Sequence, residues 1–199
     1  MKRRVSSLAR TCGECHACCV ELTIDTPEFK KDPLIPCAHL KGGRCGIYNT
    51  RFKICREFLC GWMLSPELKD SLRPDLSGIL MLAVAQASLP QAYRPAGNGM
   101  QFLVIGGEAA ITGADFADYV FEQVSRRVGV YLTATIPRAM LNPYLEPFVA
   151  ANDREGARRV LREVYRLLMA SGKKKGFLGL LPHLYRIQLE KMRIKPNRL

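Results

Sequence analysis

Residues 12–19 read CGECHACC, and the cysteines of this stretch determine how the rest of the chain is interpreted. Its first three cysteines, Cys12, Cys15 and Cys18, are separated by two residues each, a spacing that lets neighbouring thiolates point at one metal centre. Cys19 follows Cys18 directly, and adjacent side chains cannot easily reach one metal from the same direction. The stretch therefore predicts a metal site and leaves one cysteine for a second centre or for pairing with the later cysteines.

Four more cysteines follow at looser spacing in residues 36–62, PCAHLKGGRCGIYNTRFKICREFLCGW. Gly42 and Gly43 allow the tight reversal that brings Cys45 back beside Cys37. Eight thiols suffice for two four-thiolate sites, or for one cluster with four spare ligands, and the sequence leaves this partition open. His16 and His39 are reserve ligands, and the predicted metal ligands are Cys12, Cys15, Cys18, Cys19, Cys37, Cys45, Cys55 and Cys60.

An even number of cysteines also allows a disulfide framework. The chain starts with MKRRVSSLART, which is basic but has no apolar segment behind it, so we expect no secretory signal and a cytoplasmic location. Thiols stay reduced in the cytosol, and 199 residues can build a core without disulfides. Metal binding is therefore favoured over disulfides. Among metals, the C-x2-C-x2-C spacing slightly favours a [4Fe–4S] cluster over Zn²⁺.

Basic and aromatic side chains alternate with the later cysteines. A metal held by four thiolates carries negative charge, and cations close to it stabilise the deprotonated sulfurs. The candidate cations could equally be ordinary solvated surface charges; they are Arg44, Arg51, Lys53 and Arg56. Four aromatic residues are expected to form an apolar lining that shields the site from water: Tyr48, Phe52, Phe58 and Trp62.

The succession of CGECHACC, C-x-H-L, G-x-C-x-I-Y and R-x3-C-R-x-F-x-C-x-W resembles the CxxCxxCC family of zinc- or iron-chelating proteins, which is largely bacterial. The resemblance covers residues 12–78, where Arg73-Pro74-Asp75 and Ser77-Gly78 continue it weakly. It departs at Phe52, where the family usually has proline. It implies that the eight cysteines are the chelating set. Flagellin lysine methylases carry a similar cysteine cluster, but their other parts have no match here, so methyl transfer is a remote implication.

The middle of the chain has the alternating pattern of a small α+β arrangement. Three apolar runs predict strands, at Ile79–Ala85, Met100–Ile105 and Val130–Thr135. Thr112 and Asp115 predict a capping box for a helix that continues to Arg127. Neither a G-x-G-x-x-G nor a G-x4-G-K-[ST] motif is present, so a nucleotide site is not expected.

The end of the chain is strongly basic. Residues 154–199 hold thirteen of the thirty Lys and Arg residues against three acidic ones, whereas the rest of the chain is nearly neutral. Asn152 and Glu155 predict an N-cap pair for a helix from Asp153 to Ser171, closed by Gly172. Its arginines line one ridge, which belongs either to a docked helix with a basic outer face or to a surface for nucleic acid or an anionic membrane. The candidate polyanion-binding residues are Arg154, Arg158, Arg162, Arg166, Lys173, Lys174 and Lys175.

Together these patterns predict an α+β protein with a cysteine-rich metal-binding head (1–78), a small mixed part (79–150) and a basic helical tail (151–199). The alternative is that all three parts form one compact domain. No apolar stretch is long enough to span a membrane. The expected function is a cytosolic iron–sulfur or zinc protein without an assigned reaction. The alternatives are a zinc-stabilised nucleic-acid-binding module that uses the basic helix, and a metalloenzyme of the group-transfer type.

Overall fold

The computed structural model describes residues 10–134, 138–172 and 177–193, and of Phe177 it describes the backbone alone. The described chain is α+β, as predicted. Its strands are β1 (Ile24–Asp25), β2 (Lys30–Lys31), β3 (Leu40–Lys41), β4 (Arg44–Cys45), β5 (Ile79–Val84), β6 (Gly99–Val104), β7 (Val130–Thr133) and β8 (Arg138–Met140). Its helices are α1 (Ala17–Glu21), α2 (Lys53–Glu57), α3 (Gly61–Leu64), α4 (Pro74–Ser77), α5 (Gly107–Thr112), α6 (Ala114–Ser125), α7 (Asn142–Ala150), α8 (Arg154–Gly172) and α9 (Phe177–Arg193).

Residues 10–78 contain short elements and two small hairpins. β1 pairs with β2, and β3 pairs with β4, each over two residues. The second hairpin turns at Gly42 and Gly43, whose φ angles of 55° and 76° lie in the left-handed region that favours glycine. The hairpin places Leu40 opposite Cys45. The reversal predicted from the two glycines is therefore confirmed.

Strands β5 to β8 form one sheet in that order. β5 is antiparallel to β6, with Met81 opposite Phe102, β6 is parallel to β7, and β7 is antiparallel to β8. Helices α5 and α6 lie in the long connection that a parallel pair needs. Because side chains alternate between the two faces of a strand, Ile79 and Met81 enter the main core while Leu80 and Leu82 lie on the opposite face.

The predicted strands all exist, with small differences at their ends. β5 ends one residue before Ala85, and β6 starts and ends one residue earlier than predicted. β7 ends at Thr133, and Thr135 lies outside the described residues.

The main core lies between the sheet and helices α6, α7 and α8. Phe102 of β6 meets Phe116 of α6 edge to face, with ring centroids 5.1 Å apart. Phe116, Val120 and Val124 are all buried, as the four-residue spacing of this stripe predicts. The same hydrophobic cluster runs from Trp62 to residues of α8 and α9, so it includes residues of all three predicted regions.

The predicted start of α6 is wrong. Gly113, not Thr112, precedes its first residue, and no side chain caps it. Thr112 is instead the last residue of α5, where its hydroxyl donates to the carbonyl oxygen of Ala109. The Asp115 carboxylate accepts hydrogen bonds from Lys69 and Ser71, so it is engaged with the segment before β5.

The cap of α8 also differs from the prediction. The Asp153 carboxylate accepts a 2.8 Å hydrogen bond from the amide of Gly156, which makes Asp153 the capping residue. Asn152 adopts a left-handed conformation with a φ of 51°, so it turns the chain from α7 into α8 instead. Helix α8 runs from Arg154 to Gly172, so each end lies one residue later than the predicted range of Asp153 to Ser171.

Among the described helices none combines the length and the apolar character needed to cross a bilayer.

Candidate metal centre

All eight cysteines line one cavity of about 320 Å³. They come from α1 and the turn before it, from the β3–β4 hairpin and its approach, and from α2 and the residue that precedes α3. Each is half-buried, and each is a free thiol without a disulfide partner. The eight predicted ligands are therefore brought to one place in the fold, and the disulfide alternative is not what the structure has.

Backbone hydrogen bonds bring the second group of cysteines to the first. The amide of Cys37 donates to the carbonyl oxygen of Cys19 over 2.9 Å, which joins the hairpin to α1. The amide of Leu40 donates to the carbonyl oxygen of Cys37, and Leu40 pairs with Cys45 across the hairpin. Cys19, Cys37 and Cys45 are thus connected through backbone contacts.

Ring contacts place α2 beside both hairpins, through Phe29 of the first and His39 at the start of the second. Phe52, which precedes α2, stacks on Phe29 with ring centroids 4.6 Å apart and nearly parallel planes. The His39 ring lies 5.6 Å from the ring of Phe52. These contacts position Cys55, which lies three residues after Phe52 on the first turns of α2.

Arg10 connects the segment before Cys12 to the segment after Cys60. Its guanidinium donates to the carbonyl oxygens of Trp62, Ser65, Pro66 and Leu68, in three cases over 3.1–3.2 Å and in the case of Leu68 over a shorter distance. It also lies 4.2 Å from the centre of the Trp62 ring. Sequence reasoning missed this residue, because a single arginine outside a motif gives no signal.

An apolar floor closes the cavity on the side of the sheet. Leu80 and Leu82 of β5 line it together with Trp62 and Met63 of α3. Phe52 and Phe58 line it too, so three of the four predicted aromatic residues are in place. The fourth, Tyr48, lies under the Arg51 guanidinium at 3.8 Å and is not part of the lining.

The four cations predicted beside the metal site differ in whether they line the cavity. Arg51 lines the cavity. The others are not part of the lining: Arg44 binds Glu14, Lys53 lies 3.9 Å from Glu57, and Arg56 donates to the carbonyl oxygen of Arg51. Of the reserve ligands, His39 is part of the lining and His16 is not.

Lys31 is a buried cation that the sequence did not reveal. Its side chain is 7% exposed, and its ammonium donates over 2.8 Å to the carbonyl oxygens of Val20 and Asp32. Because Val20 follows Cys19, this charge lies beside the second cysteine of the adjacent pair. Charge on Cys19 is stabilised by it.

The thiols differ in how readily they ionise. Burial raises the pKa of the Cys15 thiol to about 11, and burial likewise raises the pKa of Cys60. A hydrogen bond from Cys18 lowers the pKa of Cys19 to about 6, against the effect of burial and with help from His16, Lys31 and Arg51. The same hydrogen bond, with burial, raises the pKa of Cys18.

The carboxylate of Asp75 lies beside the thiol of Cys15. Burial alone would raise its pKa, but the hydrogen bonds and the charge of Arg73 outweigh burial, so the pKa lies below its ordinary value. Arg73 donates twice, over 2.7 Å and 2.8 Å, to the two carboxylate oxygens. The carboxylate also lies within hydrogen-bonding reach of the Cys15 thiol.

Throughout residues 10–134, 138–172 and 177–193, no three His, Cys, Asp or Glu side chains are already grouped as the ligands of one metal ion. The donor set nevertheless fits a thiophilic metal, because the lining combines eight soft sulfur donors with an apolar floor.

The arginine ridge of α8 binds acidic residues of the same chain. Arg154 and Arg158 bind Asp118 of α6, over 3.4 Å and 3.0 Å. Arg162 and Arg166 bind Glu108 of α5, and the Arg166 pair has the shorter distance, 2.6 Å. All four predicted arginines thus have intramolecular partners, whereas Lys173, Lys174 and Lys175 lie outside the described residues. Polyanion binding stays a prediction.

No family model, curated protein or solved structure matches the chain. The resemblance to the CxxCxxCC family therefore also stays a prediction.

Proposed function

We propose that this protein chelates a thiophilic metal, iron in an iron–sulfur cluster or zinc, through its eight cysteines. The observation that carries the proposal is the shared cavity: thiols from separate segments of residues 12–60 line one space, and all of them are free. Thiolates are the ligands that zinc and iron–sulfur clusters prefer, and both take four of them in tetrahedral arrangements.

The rest of the lining suits this role. Trp62, Leu80 and Leu82 keep one side of the space apolar, which limits the access of water to the sulfurs. Lys31 and Arg51 supply positive charge near Cys19, where it offsets the charge of the thiolates. A bound zinc ion would act as a structural cross-link, and a bound cluster would supply an electron-transfer centre.

Metal content of anaerobically purified protein tests the proposal. We expect a stoichiometric thiophilic metal, measured by elemental analysis together with acid-labile sulfide and visible absorption. Brown protein with iron and sulfide identifies a cluster, and colourless protein with zinc identifies a zinc site; both outcomes support chelation. Protein that holds neither metal, as purified and after reconstitution under reducing conditions, contradicts it.

Paired variants show whether the cysteines are the ligands. Cys15→Ser and Cys37→Ser should each lower the metal content. Thr11→Ala is the matched control, because Thr11 is an exposed neighbour of Cys12 that lies outside the cavity lining, so its metal content should equal that of the wild type. Equal metal content in all four proteins would show that the metal is held elsewhere.

A further inference from the structure

We infer that the eight cysteines form two separate four-thiolate centres, one made by Cys12, Cys15, Cys18 and Cys60 and the other by Cys19, Cys37, Cys45 and Cys55. This inference rests on the proposed function and adds the partition of ligands, which the sequence leaves open. Backbone contacts, the direction of adjacent side chains and the charges around each thiol all support the same division.

Local contacts hold the first set together. The amide of Cys15 donates to the carbonyl oxygen of Cys12 over 2.9 Å, so these two residues share one turn, and Cys18 follows at the start of α1. Cys60 is distant in sequence, but Arg10 joins the two segments by donating to the carbonyl oxygen of Trp62. Cys12 and Cys60 each lie two residues from one end of that bond.

The second set is held together by the hairpin and by α2. The amide of Cys37 bonds to the carbonyl oxygen of Cys19, and the hairpin returns Cys45 to the same side. The ring of Phe52 lies 5.6 Å from the ring of His39, which directly precedes β3, and this contact places Cys55 beside that hairpin. None of these contacts involves Cys12 or Cys60.

The adjacent pair separates the two sets. Cys18 and Cys19 are consecutive residues of helix α1, and consecutive helical side chains point about 100° apart. One thiol can therefore face the first set while the other faces the second. The helix acts as the partition between the two centres.

The thiols that lie close to one another show the same grouping. Cys19, Cys37 and Cys45 are near enough to Cys55 to interact with it, and all three belong to its own set. The cysteine that acts on Cys60 is Cys12. Cys18 is influenced by its direct neighbour Cys19 and then by Cys12 and Cys15.

The surroundings of the two sets are also different. Asp75 lies beside Cys15 in the first set, whereas Lys31 and Arg51 act on Cys19 in the second. An acidic neighbour on one side and cations on the other give the two centres distinct environments. Loss of one ligand should therefore release the metal of its own centre and leave the other centre loaded.

Alkylation mapping of metal-loaded protein tests the partition. Cys18→Ser should leave Cys12, Cys15 and Cys60 open to iodoacetamide, while the second set stays protected. Cys19→Ser should expose Cys37, Cys45 and Cys55 and protect the first set. Peptide mass spectrometry identifies the modified cysteines. The partition would be wrong if one substitution exposed thiols of both sets in a folded variant. It would also be wrong if a substitution exposed thiols of the other set and left those of its own set protected.

Double variants provide a second, quantitative test. Cys12→Ser, Cys60→Ser and their combination should each lose half of the wild-type metal, because both ligands serve one centre. The combination Cys12→Ser with Cys45→Ser should lose all of it. If the within-set pair loses as much metal as the between-set pair, the division is wrong.

Measurements on the wild type decide the matter even if a variant fails to fold. Stepwise displacement of the metal by a mercurial thiol reagent should release two equal portions, one for each group of four thiols. A single release, or a content that corresponds to one four-thiolate centre per chain, would contradict two centres while leaving chelation intact. Complete absence of metal would instead contradict the proposed function.

Discussion

The guanidinium of Arg10 donates hydrogen bonds to backbone carbonyl oxygens of a segment more than fifty residues away in sequence. Residues 62–68 begin within α3 and continue into the loop after it, and four of their carbonyl oxygens accept hydrogen bonds from this one side chain. The side chain is 13% exposed, so water cannot readily take over these bonds. An arginine suits this position because its planar fork carries several donors in fixed directions.

Arg10→Lys should therefore destabilise the protein, because an ammonium cannot reach all four carbonyl oxygens at once. We expect the free energy of unfolding to fall by about 1–3 kcal/mol, the usual cost of leaving buried polar groups unpaired. Denaturant unfolding of the metal-free protein measures it. Lys30→Gln is the control: Lys30 pairs with Asp25 on the surface, so its loss should change stability by less than about 0.5 kcal/mol. Equal effects of the two substitutions would contradict this role of Arg10.

At the scale of elements, α8 is attached to the rest of the molecule by an apolar face and a charged ridge. Val160, Leu161 and Val164 are buried against the sheet and its helices. The arginines beside them bind Asp118 and Glu108, which belong to α6 and α5. The like charges that repel one another along the helix are thus compensated by acidic residues of its neighbours.

Asp153→Ala should weaken the start of this helix. The substitution removes the acceptor for the amide of Gly156, and the loss of an N-cap costs about 1 kcal/mol. Thermal or denaturant unfolding measures the loss. Glu155→Ala is the comparison, because the sequence pattern names Glu155 as a capping partner but, among the described residues, its carboxylate pairs with Arg158 and Arg159 on the surface. A larger loss of stability for Glu155→Ala than for Asp153→Ala would contradict the role of Asp153 and support the capping role that the sequence predicts for Glu155.

The ion pair between Glu108 and Arg166 should make stability depend on pH. The hydrogen bond from Arg166 lowers the pKa of Glu108, against a smaller effect of burial. A lowered pKa in the folded state means that the pair stabilises the fold fully above the ordinary value of 4.5 and loses this effect as the pH falls through the lowered value.

Glu108→Gln should consequently cost up to about 1 kcal/mol at pH 7, since both side chains are more than a third exposed and solvent screens them. The difference from the wild type should shrink towards zero below pH 4.5. Unfolding curves recorded between pH 3 and pH 7 measure it. A difference that stays constant across this range would show that the carboxylate charge is not responsible.

At the scale of the whole molecule, the cysteine segment (residues 12–60) and the sheet are stabilised by different interactions. Residues 12–60 contain strands of two residues and helices of five or fewer, and Ala17 is their one buried apolar side chain, apart from residues that line the cavity. The sheet and α8, in contrast, have a continuous apolar core. Metal binding should therefore order the first part far more than the second.

Hydrogen–deuterium exchange of metal-free and metal-loaded protein should show this difference. Amides of residues 12–60 should exchange markedly more slowly in the loaded protein, because ligation joins the separate segments. Amides of β6 and β7 should keep the same rates in both forms. Uniform protection over the whole chain would mean that the metal stabilises the global fold, and no change would mean that the cysteine segment is ordered without it.

The extent to which the sequence predicted this structure depends on how local each signal is. The cysteine positions and the apolar runs of β5 to β7 are visible in short windows, so the cavity lining and the strands were predictable. The cap at Thr112 was predicted wrongly because α5 ends there, and a helix end cannot be told from a helix start by one threonine. Helix α7 was missed because Pro143 and Pro147 interrupt its pattern. Arg10 and Lys31 act over distances that no local pattern reveals.

The floor of the cavity comes from β5, which follows all eight cysteines in the chain. At a synthesis rate of about 5–20 residues per second, roughly 1–4 s pass between Cys60 and Leu80, and the remaining strands of the sheet arrive later still. During translation the thiols consequently meet the surrounding solution before the surface that will shelter them exists. Under the proposed chelation, metals and oxidants present in those seconds would compete for the sulfurs, and the supply of metal at the ribosome would help to determine what the finished molecule contains.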